Sequence, residues 1–272
     1  MKTLLVFAHW EEAKSVVQNF DAKLSSSPSF FRKYSNDQID ILVTGMGILN
    51  MQAAVVHYFS TESTADCALN VGLAGSALKT LHSWFAASSI HCDPFKTHYP
   101  DPIFSKLPYA TLHTVHQPAT ESEMKNQPDS LFDMEGYGFV SGAKRFLQNH
   151  QFHLLKFVSD HDGKSESIKK SLNAYNDSVI KAIETALAEI HHAISLTGDR
   201  RLYHDLETAI KNFSNKQKLS FTQTQQLLEH CVYLVNVEQK LRVDSVLADS
   251  YLNIPDRDRR FKEICKRLYA DE

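Results

Sequence analysis

The chain lacks a surplus of charge of either sign. Its 29 Lys and Arg stand against 32 Asp and Glu, a formal net charge of -3. Nothing in that balance favours a polyanion, so nucleic acid is not an expected partner. Cysteine is scarce as well. Cys67, Cys92, Cys231 and Cys265 include no CxxC pair, and their spacing suits neither a zinc ribbon nor a disulfide framework. They read as idle thiols of a reducing compartment. No apolar run approaches the length of a membrane span. The opening MKTLLVFAHWEEAK reaches His9, Glu11 and Glu12 too soon for a signal peptide. A cytoplasmic protein without membrane attachment is expected. No internal repeat and no low-complexity linker interrupts the chain. The histidines number 14, and His91, His98, His113 and His116 lie near Asp93 and Asp101, but in no metal-ligand spacing. No metal and no cofactor is expected.

What is present is an alternation. Short apolar runs at 3–8, 40–44, 68–71, 84–90, 109–115 and 152–159 read as buried strands. Amphipathic stretches at 11–23, 49–59 and 136–148 lie between several of them and read as helices. Strands alternating with helices predict an α/β domain with helices on the faces of its sheet. After Gly163 the pattern changes. Residues 165–194 carry Ile168, Leu172, Tyr175, Val179, Ile183, Ala186 and Ile190 on one helical face. Thr197-Gly198 is the expected stop. Further helices are expected at 199–213, at 222–249 with a break inside it, and at 256–269 after Pro255. The expected organisation is therefore a catalytic α/β domain over 1–194 and a helical appendage over 195–272. In the appendage Arg200, Arg201, Arg257, Arg259 and Arg260 offer charge to an acidic partner or simply a solvated face.

Four stretches fall where such sheets place ligands, at strand ends or helix starts. Ala8-His9-Trp10-Glu11-Glu12 follows the first strand, where two acids also suit a helix dipole. Thr44-Gly45-Met46-Gly47 is a glycine turn lacking the rest of a dinucleotide fingerprint. Asn70-Val71-Gly72-Leu73-Ala74-Gly75-Ser76 is a second turn of small residues. Asp133-Met134-Glu135-Gly136 opens a helix, and Val158-Ser159-Asp160 closes the last strand, where Asp160 alone reads as a helix cap.

In order and spacing these stretches resemble the nucleoside phosphorylase and nucleosidase family, most closely its methylthioadenosine/S-adenosylhomocysteine nucleosidase branch. The resemblance covers about residues 1–190. It implies a phosphorylase-like central mixed sheet flanked by helices, to which this chain adds an all-helical C-terminal extension. It implies hydrolysis of the N-glycosidic bond of a purine nucleoside with release of the free base. By the same resemblance Glu12 activates the attacking water and Asp160 protonates purine N7, with Ser159 helping to place the base. Glu135 accepts from ribose hydroxyls and Met134 packs against the sugar. Ala74 and Gly75 line the base pocket, with Met46 nearby. The implied partner is a small purine nucleoside. The resemblance leaves a homodimer open, the appendage either covering the pairing surface or forming a lid.

The chemistry is consistent with those residue types. A purine leaves readily only when protonated, which is general-acid work. An ordinary Asp is ionised at neutral pH, so Asp160 needs burial or a shared proton to donate. A carboxylate there suits a 6-aminopurine, because it shares a proton with N7 and accepts from the amino group. Glu135 offsets positive charge on the ribose. Phosphate as nucleophile needs Arg, Lys or a nest of N–H groups. The first loop offers Glu11 and Glu12 instead. Two like charges about 4 Å apart cost on the order of 4 kcal/mol at an effective dielectric near 20, which disfavours phosphate and favours water. A phosphate-dependent phosphorylase is the same-fold alternative, and a degenerate nucleoside-binding protein the alternative from another class. Departures from the family pattern cluster around the base and 5′ positions. They are His9-Trp10, Leu81-His82-Ser83-Trp84, the Phe-free stretch Val115-His116-Gln117-Pro118-Ala119-Thr120, and His161-Asp162-Gly163. The 5′ substituent is therefore left open.

Overall fold

The computed structural model describes residues 1–25, 30–61, 65–196, 200–236 and 240–269. The chain divides into two compact units, Met1–Ile194 and Ser195–Glu272.

The first unit is built on a mixed sheet of nine strands. These are β1 (Thr3–Phe7), β2 (Lys23–Leu24), β3 (Arg32–Ser35), β4 (Ile39–Val43), β5 (Cys67–Gly75), β6 (Trp84–His91), β7 (Tyr109–Thr114), β8 (Leu131–Asp133) and β9 (Phe152–Asp160). Their order is β2-β3-β4-β1-β5-β8-β7-β6-β9, with a further pairing of β5 to β9. Strands β5, β9, β6, β7 and β8 thus close into a ring, from which β1, β4, β3 and β2 extend. Strands β4, β1, β5 and β9 run parallel, so their C-terminal ends share one edge of the sheet. That edge is where all but one of the singled-out stretches lie; Met134-Glu135 follows β8.

Burial on both faces explains the unbroken apolar runs. Leu4 and Val6 of β1 enter one core, with α2 (Ile48–Thr61) and α4 (Gly136–Ala143). Leu5 and Phe7 enter the other, with α1 (Trp10–Asn19) and α5 (Ser165–Leu196). Adjacent residues of a strand point to opposite faces, so a strand apolar at every position needs cover on both sides.

The expected strands and helices of this unit are present, with further elements added. Strands β2 and β3 form an antiparallel edge, β8 is only three residues long, and a short helix α3 (Glu121–Asn126) precedes it. Two helices end early. α1 stops at Asn19 rather than at 23, because Asp21 takes φ 46 and turns the chain into β2. α4 stops at Ala143 rather than at 148.

The second unit packs α6 (Arg200–Lys216), α7 (Phe221–Asn236), α8 (Lys240–Ala248) and α9 (Arg257–Leu268) around Ile210, Leu227, Cys231, Val243, Ile264 and Leu268. The Thr197-Gly198 stop lies outside the described residues, as do the side chains of Arg200 and Arg201. Arg257 and Arg259 are exposed. Arg260 is not a surface charge: it is 5% exposed and spends its guanidinium on the carbonyls of Gln217, Ile254 and Pro255. Those hydrogen bonds satisfy its N–H groups, which is why a charge is tolerated inside.

Candidate active site

Glu12 sits in the first turn of α1 and is buried. Its Oε2 accepts from the His9 N–H at 3.1 Å, closing the helix start, while Oε1 accepts from the Leu73 N–H of β5 at 3.0 Å. This acid therefore caps α1 and also reaches over the strand ends. The space it enters is free because Gly72 has no side chain; a Cβ there would stand 3.2 Å from Glu12 Oε1. Burial raises the Glu12 pKa, offset in part by the Leu73 N–H and by the charge of Lys156.

Opposite Gly72 in the β5–β9 register stands Lys156, a residue the sequence reading passed over. It is 1% exposed and pairs with Asp133 at 2.7 Å. Asp133 also accepts from Thr114 Oγ1 at 2.7 Å and from the Gly136 N–H at 2.8 Å. It thereby caps α4 itself and frees Glu135, whose Oε1 accepts from the Gly47 N–H at 2.8 Å, 88 residues away in sequence. Gly47 is at φ 94, a conformation open to glycine, and this aims its N–H at the carboxylate. Burial, then the neighbouring Asp133 charge, raises the Glu135 pKa to about 7, against the opposing effect of Lys156. Glu12, Asp133, Glu135 and Lys156 thus form one buried electrostatic group.

Asp160 ends β9, four residues beyond Lys156, or about 13 Å along an extended strand. It is 3% exposed. Its Oδ1 accepts from Ser159 Oγ at 2.7 Å and its Oδ2 from the Gly163 N–H at 2.6 Å. Ser159 Oγ is also 3.3 Å from the Ala74 carbonyl. A register shift between Ala74 and Gly75 sets Gly75 opposite Asp160. A Cβ on Gly75 would lie 3.3 Å from Asp160 Oδ2 and 2.5 Å from the terminal methyl of Met124. Met124, from α3, is 2% exposed and fills the space beside Gly75.

A cavity of about 610 Å³ opens on the Glu135 side. Met46, Gly47 and Met134 line it; Ala74, Gly75, Ser159 and Asp160 do not. The sequence-selected residues therefore fall into three neighbouring groups. Glu12 and Glu135 share the Lys156 centre, Ala74, Gly75, Ser159 and Asp160 cluster at the strand ends, and Met46 and Met134 line the cavity. Among the described residues no group of three or more His, Cys, Asp or Glu is placed to hold a metal. His91 and His113 instead stack on each other, centroids 4.9 Å apart.

Solved structures match this architecture. A single-residue variant of the MTAN of Chlamydia trachomatis bound to MTA superposes with a TM-score of 0.56 at 22% identity, covering 70% of this chain and 99% of that one. The 5′-methylthioadenosine/S-adenosylhomocysteine nucleosidase of Colwellia psychrerythraea in complex with adenine gives 0.60 at 14%, covering 70% and 96%. The futalosine hydrolase of Helicobacter pylori gives 0.59 at 16%, covering 70% and 98%. The fold is that of the nucleosidases. No protein-family model and no curated protein matches the sequence. Within the nucleosidase fold, the phosphorylase-like mixed sheet expected from sequence is present. No described helix is long and apolar enough to cross a membrane.

The raised Glu135 pKa has a consequence for stability. An unfolded Glu titrates near 4.5 and the folded one near 7, so between those values the folded state holds the extra proton. Its contribution to stability is complete below pH 4.5 and is lost as pH rises through 7. Glu135→Gln is expected to flatten the fall in apparent Tm between pH 5 and pH 7.5, as followed by thermal denaturation. An unchanged slope would assign that pH dependence to other groups.

Proposed function

We propose that the chain hydrolyses the N-glycosidic bond of a purine nucleoside, with a 6-aminopurine as the base. The observation that carries the proposal is the meeting of Glu12 and Glu135, 123 positions apart, around one buried lysine, with Asp160 on the same strand as that lysine. A nucleoside laid across this edge would set its ribose hydroxyls on Glu135 and its base toward Asp160. Water held by Glu12 would attack the anomeric carbon, and Asp160 would protonate N7 as the bond to the base breaks. The pKa of Glu12 is raised by burial, which suits a carboxylate that accepts a proton from water.

Water, rather than phosphate, fits the charges. The positive groups that act on Glu12 are Lys156, already paired with Asp133, and the exposed His9. A dianion placed there would face two buried carboxylates, with no unpaired buried cation among the described residues of the first unit to offset it. The test is release of free base from adenosine-type nucleosides in phosphate-free buffer. Release only on adding phosphate would establish the phosphorylase instead. MTA, bound in the Chlamydia trachomatis structure, is the first substrate to try.

One observation weighs against turnover in the conformation seen. The space beside Gly75, where the base would lie, is filled by Met124, and both Asp160 oxygens are already engaged. In the hydrolase reading α3 moves aside, and the Met124 side chain is what the base displaces. Met124→Ala is then expected to tighten adenine binding several-fold, since the closed form no longer competes. It should cost stability in the range of about 2–5 kcal/mol for a buried Met truncation. Calorimetric titration with adenine measures the first effect and urea unfolding the second. Weaker adenine binding by the variant would place the base elsewhere.

A further inference from the structure

We infer that residues 92–104 form a strap that closes one wall of the cavity at neutral pH and is released in mild acid, when His98 and His153 become charged. The inference does not depend on what the site turns over. The strap leaves β6 and leads to β7. Its Phe95 stacks on Tyr137 of α4, ring centroids 5.1 Å apart, and both residues line the cavity. The Tyr137 hydroxyl donates to the Lys96 carbonyl at 3.2 Å. This wall is therefore only as firm as the hold on the strap. His98 exchanges two backbone hydrogen bonds with Ile90, at 2.8 and 3.0 Å. The other ties run through side chains. Thr97 Oγ1 lies 3.1 Å from His91 Nδ1, and the His98 ring stacks on Phe152 with centroids 5.3 Å apart. Phe104 is buried and meets the His153 ring edge-on, centroids 5.0 Å apart. Its N–H donates to the Tyr109 hydroxyl at 2.7 Å.

Two of these ties need a neutral imidazole. A charged one donates from both ring nitrogens. His98 Nε2 is buried with no hydrogen-bond partner among the described residues, so a proton placed there would bury an unpaired charge. Burial lowers the His98 pKa, Lys144 of α4 lowers it further, and Asp101 of the strap acts against both. His153 of β9 is buried, and its Nε2–H donates to the His150 carbonyl at 3.1 Å. Protonation would add a second N–H to a ring packed against Phe104. Burial pushes the His153 pKa down to about 4; the charges of His150 and His98 push the same way, against the bond to the His150 carbonyl. His150 itself is lowered by burial and raised by Asp101. From α5, Glu189 accepts from the Ser105 N–H at 2.8 Å, just beyond the strap. Both imidazoles are held below the usual histidine value. Their hold on the strap is therefore complete above pH 6.5 and is lost as pH falls toward about 4. This runs opposite to the effect of Glu135, so a measurement confined to the strap is needed.

Hydrogen exchange of the full chain at pH 5 and pH 7.5, corrected for the intrinsic exchange rates, supplies that measurement. The opening constant of the strap amides is expected to rise by about ten- to thirtyfold at pH 5. The upper figure corresponds to His153 passing from about 4 under the closed strap to 6.5 once exposed. Amides of β1 are expected to keep their protection. His98→Phe, whose ring keeps the stack on Phe152, should lose part of the acid response, and His98→Phe/His153→Leu nearly all of it. An absent acid response in the parent protein, or a full one in the double variant, would overturn the inference. Should the double variant not fold, His98→Phe decides alone, and a response equal to the parent's would overturn it. Loss of protection in β1 in step with the strap would mean that acid unfolds the whole unit, and the inference would fail equally.

Discussion

Replacing Asp160 by Asn is expected to lower kcat for base release by about 10²–10⁴-fold, the usual contribution of a positioned general acid. The substitution keeps the shape and retains an oxygen to accept from Gly163 or Ser159, so the fold should be little disturbed. What is lost is the proposed proton donor. The leaving base must then depart with negative charge on its ring, and the barrier rises accordingly. Nucleoside binding should persist, because Glu135 and the cavity walls are untouched. Glu12→Gln is the companion variant. It removes the carboxylate proposed to orient water, and keeps one oxygen to accept from either Leu73 or His9. Single-turnover release of free base, read beside equilibrium binding, separates the two effects. A variant at position 160 that turns over within threefold of the parent protein would remove Asp160 from the reaction.

Replacing Lys156 by Met should cost about 3–5 kcal/mol of stability, the penalty for breaking a buried ion pair on one side. Lys156 is 2.7 Å from Asp133 and lowers the pKa of both Glu12 and Glu135. Without it Asp133 and its neighbours would be buried carboxylates with no counter-charge. The deficit should shrink as pH falls, because protonation removes the uncompensated charge. Adding Asp133→Asn to Lys156→Met should recover much of the loss, since Asn keeps an acceptor for Thr114 or the Gly136 N–H and carries no charge. Urea unfolding at pH 5 and pH 8 checks both statements. A single variant within 1 kcal/mol of the parent at pH 8 would mean that Lys156 is not what makes this acid cluster tolerable.

Lys156 also marks where the sequence was hard to interpret. Strand β9 reads Phe-His-Leu-Leu-Lys-Phe-Val-Ser-Asp, and its apolar character announced a buried strand at once. The lysine within it carried its own signal. A charge inside a strand buried on both faces must be paired, so a carboxylate partner was implied. Nothing local said that the partner was Asp133, 23 positions earlier, because ladder register is set by long-range pairing. The elements missed share a cause. β3 is Arg-Lys-Tyr-Ser beside the two-residue edge strand β2, with no apolar run to betray it, and β8 has only three residues. α3, six residues long, has Met124 as its one buried side chain, too little for a helical stripe. The glycine turns were legible as close approaches, but not what approached them. Gly47 meets a carboxylate 88 residues away, and Gly75 meets a methionine. Short acidic motifs at strand ends were the readable part of the candidate site; the packing of Met124 beside Gly75 was not.

The most direct measurement supplies an adenosine-type nucleoside in phosphate-free water enriched in oxygen-18 and follows both products by mass spectrometry. The account predicts free adenine and a sugar carrying one heavy oxygen at its anomeric carbon, with the yield indifferent to added phosphate. A sugar phosphate, or an intact nucleoside bound through the whole incubation, would contradict it.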